Sequence, residues 1–394
     1  MNQAYIIDAL RTPIGSLNGY FLDLSAVELG ANVVKSLLNR HPEISPNLID
    51  EVIFGQVLTA GLGQNPTRQV SVKSGIPVET PAYTVNMVCG SGMKAIELGW
   101  LSIITGRANI VIAGGMENMS QAPYLLKSMR RGSRMGDVPA IDSMIYDGLL
   151  DIFNLYHMGI TAENVAERYN ISREEQDLFA YESQMKYAKA FEEGKFKEEI
   201  IPVTIETKKG PLTIEKDEHP KTDTNLEKLS KLKPAFKPNG TVTAGNASGI
   251  NDGASAVLIV SEKSLNHVKP AFTPIRILDI ESAGCDPAFM GLGPIVATKK
   301  LLDINKLNVN HIDLWELNEA FAAQSIPCIK EIGIDPQLVN VNGGAIALGH
   351  PIGCSGNRIT VTLIHELLRR KAKKGIATLC IGGGMGIAGL FEVS

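Results

Sequence analysis

The chain repeats itself, and that repeat constrains its fold more than any other feature. Ile49-Asp50-Glu51-Val52-Ile53-Phe54-Gly55 precedes Cys89-Gly90-Ser91-Gly92 and then Ile110-Val111-Ile112-Ala113-Gly114-Gly115-Met116. Later, Ile312-Asp313-Leu314-Trp315-Glu316-Leu317-Asn318 precedes Cys354-Ser355-Gly356 and then Ala377-Thr378-Leu379-Cys380-Ile381-Gly382-Gly383-Gly384-Met385. Ile49 stands 40 positions before Cys89, and Ile312 stands 42 before Cys354. Matching order at matching spacing is the mark of an internal duplication.

Each copy reads as strand, helix, strand, helix, strand. Short apolar strands at 4–8 and 275–280 open the copies. Segment 24–39 carries Leu24, Val27, Leu29, Val33, Val34, Leu37 and Leu38 at helical spacing. Helices are expected at 93–105 and 356–370, each after a glycine-containing turn. Such alternation predicts an α/β fold, a mostly parallel sheet covered on both faces.

The last strand of the second copy follows at once, as Gly386-Ile387-Ala388-Gly389-Leu390-Phe391-Glu392-Val393. Its counterpart in the first copy is Gly253-Ala254-Ser255-Ala256-Val257-Leu258-Ile259-Val260. The first copy is therefore interrupted. The expected division is 1–116 plus 249–271 for one core half, 117–248 for an inserted segment, and 272–394 for the other half. The insertion holds a helix candidate at 172–192. Residues 195–240 hold ten lysines against eight acids, and Lys127, Arg130, Arg131 and Arg134 have no acid between Gln121 and Gly136. Either cluster is a solvated surface or a dock for ligand phosphates.

Composition removes other classes. The formal charge of −4 is too near neutral to announce a nucleic-acid partner. With 44 % hydrophobic and 20 % charged residues, the chain can bury a large core. No apolar run approaches about 18 residues, so no membrane helix is expected. The first residues read as a strand rather than a signal peptide. Five cysteines without a C-x-x-C argue against a disulfide framework and a zinc site. The expectation is a reduced, cytoplasmic protein without a metal.

Four positions stand out chemically. Cys89 lies at a tight turn entering a helix, where free N–H groups and the helix dipole favour thiolate. A buried structural cysteine is the alternative. His350 sits in the glycine-rich, uncharged run Gly343-Gly344-Ala345-Ile346-Ala347-Leu348-Gly349-His350-Pro351-Ile352-Gly353, and its proline neighbour biases it to a loop. A histidine base activates a thiol nucleophile; a satisfied core histidine is the plainer reading. Cys380 ends a strand before three glycines, a position suited to a second acid/base. Asn318, in Asn318-Glu319-Ala320-Phe321, ends another strand, where an amide can hold a water or serve a turn. Gly384-x-Gly386-x-x-Gly389 matches a dinucleotide fingerprint, but five residues remain after it and no helix can follow.

Taken together, V-C-G-S-G, N-E-A-F, G-H-P-I-G and C-I-G-G-G, in that order on a duplicated chain, resemble the thiolase family over the whole length. The resemblance implies two βαβαβ-type halves in a layered α/β/α/β/α core with an inserted loop domain for coenzyme A and oligomer contacts. It implies that Cys89 carries the acyl group, and that His350 activates it and helps form one oxyanion hole with a water held by Asn318. Cys380 would move the proton on the α-carbon or on CoA. The N–H groups of Cys89 and Gly382 would form the second hole.

Tyr156-His157-Met158-Gly159 resembles the acetoacetyl-CoA branch, where His157 and Met158 would meet pantetheine and acyl end. Met290 resembles a methionine narrowing the same pocket. Ala244 and Ser248, in Ala244-Gly245-Asn246-Ala247-Ser248, resemble the pantetheine segment, and Leu149, Phe236 and Phe321 its apolar lining. Two positions depart from the family. Lys221 stands where an arginine is frequent near the adenine end, and Lys228 where a serine is frequent on the phosphate side. The implied reaction is reversible condensation of two acetyl-CoA to acetoacetyl-CoA and CoA, with no permanently bound cofactor, no nucleic-acid or membrane partner, and a homo-oligomer (dimer or tetramer). Alternatives are a broader-chain 3-ketoacyl-CoA thiolase and a non-catalytic acyl-CoA- or lipid-binding relative. A ketoacyl synthase would carry a Cys-His-His set instead.

Overall fold

A computed structural model describes residues 2–394. The core elements of the first half are β1 (Ala4–Arg11), α1 (Ala26–Arg40), β2 (Glu51–Gly55), α2 (Pro66–Lys73), β3 (Ala82–Val85), α3 (Ser91–Ile104) and β4 (Ile110–Asn118). After β4 come α4 (Met158–Tyr169), α5 (Arg173–Glu192) and a hairpin of Val203–Thr207 with Gly210–Ile214. The chain then returns as β5 (Asn251–Ser261). The second half comprises β6 (Ile275–Gly284), α6 (Gly293–Ile304), β7 (Leu314–Leu317), α7 (Ala322–Ile332), α8 (Ile352–Arg370), β8 (Lys374–Ile381) and β9 (Met385–Val393).

The main sheet runs β7-β8-β9-β6-β1-β5-β4-β2-β3. In the first half β2 pairs parallel with β3 and β4, while β5 pairs antiparallel with β4 and β1. Four of those five strands thus run one way, and β5 alone opposes them. The second half repeats this, with β9 opposing β6, β7 and β8. The halves join where β1 meets β6 antiparallel, at Tyr5 to Arg276 and Ile6 to Ile275.

The repeat extends to single atoms. Strand β1 breaks register between Ile6 and Asp8, and β6 between Ile277 and Asp279. At each break the aspartate Oδ1 accepts the next backbone N–H, from Ala9 at 2.8 Å and from Ile280 at 2.9 Å. A bulge leaves one residue out of the ladder, and the aspartate satisfies the neighbouring N–H.

Helices α3 and α8 pack against each other between the two half-sheets. Helices α1 and α2 cover the outer face of the first half, α6 and α7 that of the second. Three apolar clusters follow these layers. The central one includes Met93, Ile96, Ile359 and Leu363; the outer ones include Val33 with Phe54, and Leu301 with Trp315. Close approach of α3 and α8 needs glycine: a Cβ on Gly92 would lie 2.7 Å from the Asn357 nitrogen. Two of the long helices start at capping side chains. Ser25 with Glu28 and Ser172 with Glu175 form capping boxes on α1 and α5. Among the described residues no helix is long and apolar enough to cross a membrane.

Candidate active site

Two helix N-termini and two strand ends carry the four chemically distinctive residues. Cys89 precedes α3, after Val88 in a left-handed conformation (φ 47°). Ser91 fixes this turn: its Oγ accepts from Met87 N at 2.8 Å and donates to Val88 O at 2.6 Å. His350 precedes α8 in the equivalent place of the second half. Gly349 takes φ 108°, and the His350 N–H donates to Asn251 Oδ1 at 2.9 Å. Asn318 follows β7, and Cys380 lies at the penultimate position of β8.

Cys89, His350 and Cys380 line one pocket of about 490 Å³. All three are buried. No hydrogen bond joins Cys89 to His350; the ring's Nδ1 lies 2.5 Å from Ser355 Oγ, and its Nε2 has no partner among the described residues. Burial, helped by nearby Arg358, pushes the imidazole down to about 3, so the ring is neutral. Burial pushes the Cys89 thiol up to about 11. The backbone N–H groups of Gly382 and Cys89 itself pull it down, and Glu117 pushes it up. This corrects the expectation of a lowered thiol: loss of water at this depth of burial outweighs the helix N-terminus. Burial also holds Cys380 well above its ordinary value.

Asn318 is buried beside this pocket without lining it, and neither of its amide atoms has a partner among the described residues. Its neighbour Glu319 accepts from Ser183 Oγ, Asn340 Nδ2 and Ile346 N, which fixes the turn. Gly382 also lies outside the pocket wall. It borders a second cavity of about 520 Å³, with Val88 and Met158. A Cβ at Gly382 would lie 2.2 Å from Met158 Cε, so a larger residue there would push the Met158 thioether aside.

The pocket's inner wall is apolar. Met158, Met290 and Phe321 line it with Leu149 and Phe236. Phe236 stacks on His157 with centroids 4.6 Å apart and meets Phe321 edge-on. That stack requires Gly159, where a Cβ would lie 2.2 Å from the Phe236 ring. His157 caps α4 by accepting the Gly159 N–H at 2.9 Å, and burial lowers its pKa. Ala244, Ser248 and Lys221 line the outer part. Lys228 does not reach the pocket: it pairs with Asp223 at 2.8 Å on the surface.

Several contributors carry no distinct signal in the local sequence. His219 lines the pocket beside Lys221, and burial together with that lysine pushes it down to about 4. Met119 and Ile352 complete the wall. Ser355, Asn251 and Glu117 hold the backbone and ring of the 350–353 turn. Their signal was weak, since each acts through tertiary contact. Only the adjacency of Glu117 to the β4 glycines and of Ser355 to His350 pointed to them.

These features agree with comparisons to known proteins. The family description "Thiolase, N-terminal domain" matches residues 4–263, and "Thiolase, C-terminal domain" matches residues 273–393. The chain is similar to an acetyl-CoA acetyltransferase of Pseudomonas aeruginosa, at 54% identity over 98% of both chains. Among solved structures it resembles the Bacillus anthracis acetyl-CoA acetyltransferase (TM-score 0.96, 42% identity, covering 100% of this chain and 99% of that one). It resembles human mitochondrial 3-ketoacyl-CoA thiolase to the same degree (TM-score 0.96, 42% identity, 100% and 99% covered). The chain belongs to the thiolase family.

Proposed function

We propose that this chain is an acetyl-CoA C-acetyltransferase, interconverting two acetyl-CoA with acetoacetyl-CoA and CoA through an acyl-cysteine. The observation that carries this is the convergence of Cys89, His350 and Cys380 on one pocket whose inner wall is Met158, Met290 and Phe321. The acetyl-CoA acetyltransferase similarity supports the same reading.

In the cleavage direction, Cys89 loses its proton to His350 Nε2 and attacks the ketone carbon of acetoacetyl-CoA. The C–C bond breaks and its electron pair stays on the acetyl-CoA fragment, whose α-carbon takes the Cys380 proton. Acetyl-CoA leaves. CoA then gives its thiol proton to the Cys380 thiolate and attacks the acetyl group on Cys89. A second acetyl-CoA departs, and the Cys89 thiolate recovers its proton from His350. Condensation runs these steps backwards. The N–H groups of Cys89 and Gly382, which already face the Cys89 sulfur, serve the oxyanion on the acyl-cysteine. The two unpartnered amide atoms of Asn318 hold a water that, with His350, serves the enolate oxygen. One such donor is worth about 3–4 kcal/mol, so two sites lower the barrier substantially.

The pantetheine arm passes His157, Phe236, Ala244 and Ser248, and the nucleotide end meets Lys221. CoA is substrate and product, and the chain needs no resident cofactor. The reading places the enzyme in the cytoplasm as a homo-oligomer, with core halves at 1–116 plus 249–271 and 272–394 and the inserted segment 117–248 meeting CoA and neighbouring protomers.

The test is CoA-dependent cleavage of acetoacetyl-CoA, followed by loss of enolate absorbance, beside 3-ketohexadecanoyl-CoA and the Cys89→Ala variant. Cleavage of the short substrate alone, abolished by the substitution, is expected. Cleavage of both would move the chain to the broader 3-ketoacyl-CoA branch, a reading favoured by the equal likeness to the human 3-ketoacyl-CoA thiolase. Cleavage of neither would leave an acyl-CoA-binding relative.

A further inference from the structure

Ser355 lies in the first turn of α8, fully buried, and makes two short contacts. Its Oγ is 2.5 Å from His350 Nδ1 and 2.9 Å from the Pro351 carbonyl oxygen. A serine hydroxyl has one proton to place between them. Suppose it points at Nδ1. Then Oγ lies 2.9 Å from the Pro351 oxygen with no proton between the two, and that oxygen is left with the Cys354 and Ser355 N–H groups alone, at 2.9 and 3.0 Å. Suppose instead it points at the Pro351 oxygen, the usual bond of a helical serine to the carbonyl four residues back. Then the Nδ1 contact needs the ring's own proton. Only the second arrangement fills both contacts.

We infer that Ser355 is a positioning residue that holds His350 in the Nδ1–H tautomer, leaving Nε2 bare as the base for the Cys89 thiol. The surroundings agree. Nε2 is buried, lacks any partner among the described residues, and belongs to a ring that lines the pocket with Cys89. The backbone beneath is held through Asn251, and a flip of the ring about its side-chain torsion would break the serine contact.

The chemical consequence rests on the proposed thiolase reading; the geometry does not. When Cys89 forms its bond to the acyl carbon, the S–H proton passes to Nε2. The imidazolium keeps Nδ1–H on Ser355, and the new Nε2–H can donate to an oxyanion. One nitrogen is thus base first and donor afterwards. A ring carrying Nε2–H from the start could do only the second.

The experiment is two-bond 1H–15N correlation of protein labelled at histidine, with His350→Gln used to assign the signal and Ser355→Ala to perturb it. Expected is an Nδ1–H, bare-Nε2 pattern for His350 in the wild type, lost or mixed in Ser355→Ala. In the same variant, kcat for acetoacetyl-CoA cleavage falls about 100-fold, with KM within about twofold. A wrong histidine tautomer costs about 10⁴ in the serine-protease triad, which bounds the effect from above. Wild-type His350 in the Nε2–H form would overturn the inference. So would Ser355→Ala with tautomer or kcat unchanged. Should the wild type cleave neither substrate, the proposed function fails, and the wild-type spectrum alone still decides the tautomer.

Discussion

Glu117 Oε2 accepts the Gly353 N–H at 2.9 Å, tying the end of β4 to the first turn of α8, three residues after His350. The same carboxylate accepts from Val57 N at 3.0 Å and Leu58 N at 3.1 Å. It gathers three chain segments beside the Cys89 pocket. Glu117→Ala strands three buried donors, at about 1–3 kcal/mol each. We expect a loss of about 3 kcal/mol or more in urea unfolding, and a smaller loss for Glu117→Gln, which keeps a carbonyl oxygen. Burial outweighs the three donors and pushes Glu117 up to about 7, above its unfolded value near 4.5. The native state therefore holds more protons between those values, and raising the pH across them removes stability. The wild type's advantage over Glu117→Gln should narrow from pH 4.5 to pH 7. An advantage that widens would overturn this account.

Cys89 supplies the second prediction. Its thiol, pushed up to about 11 by burial, should be alkylated by iodoacetamide at a rate that keeps rising beyond pH 9. Cys354 and Cys328 are fully buried and raised at least as far, so they should label later. Cys285 is half-buried and raised to the same value of about 11, so its easier access offsets any advantage of Cys89. Peptide mass spectrometry after limited reaction should therefore find Cys89 ahead of Cys328 and Cys354. A rate plateau near pH 7 would mean that the helix N-terminus outweighs burial.

Much of this was legible in the chain because the signals are local. The helix spacing of 24–39 appears as α1 (Ala26–Arg40), and the expected helix at 172–192 as α5, capped by Ser172. The turn before α8 is another matter. Sequence spacing puts its helix at 356–370, yet it begins at Ile352, directly after Pro351, whose extended backbone marks the entry to the helix. The raised Cys89 thiol was illegible for a different reason. Local sequence displays the helix N-terminus but not the depth of burial, which depends on α8, β8 and α4 closing over the turn. The pairing of Lys228 is hidden in the same way: its surface partner Asp223 is visible only once the 221–231 segment is folded.

The two lysines give the third prediction. Lys221 lines the outer pocket, its backbone N–H held by Gln184 Oε1 at 2.9 Å, while Lys228 is engaged with Asp223 on the surface. A charge-assisted contact to a phosphate is worth about 1.5–3 kcal/mol. Lys221→Ala should therefore raise KM for CoA about tenfold with little change in kcat, and added salt should shrink the difference. Lys228→Ala should leave KM within about twofold. Steady-state thiolysis at two ionic strengths decides this, and equal effects of the two substitutions would remove the distinction.

The fourth prediction concerns how the mouth of the pocket is held. Arg11 at the end of β1 is fully buried, with Nε 2.6 Å from Glu199 Oε1 and Nη1 2.7 Å from Asp217 Oδ1. Asp217 also accepts the Ile14 N–H at 2.8 Å, and Glu218 accepts from Ser16 N at 2.8 Å and Tyr20 N at 3.0 Å. These bonds fasten the 217–218 segment to the 14–20 loop. Ser16 and Leu17 on one side, and His219 and Lys221 on the other, line the pocket. Removing one member of a buried pair leaves an uncompensated charge and costs about 3–5 kcal/mol. Asp217→Ala should lose stability of that order in urea. Because the same substitution loosens the mouth, it should also raise KM for CoA severalfold while kcat changes less, Cys89 and Cys380 lying in the buried part of the pocket. Arg11→Met alone should destabilise comparably, and the double variant should cost less than the two single losses combined, the signature of a coupled pair. Lost stability with KM unmoved would reduce the clamp to a purely architectural part and detach it from substrate binding.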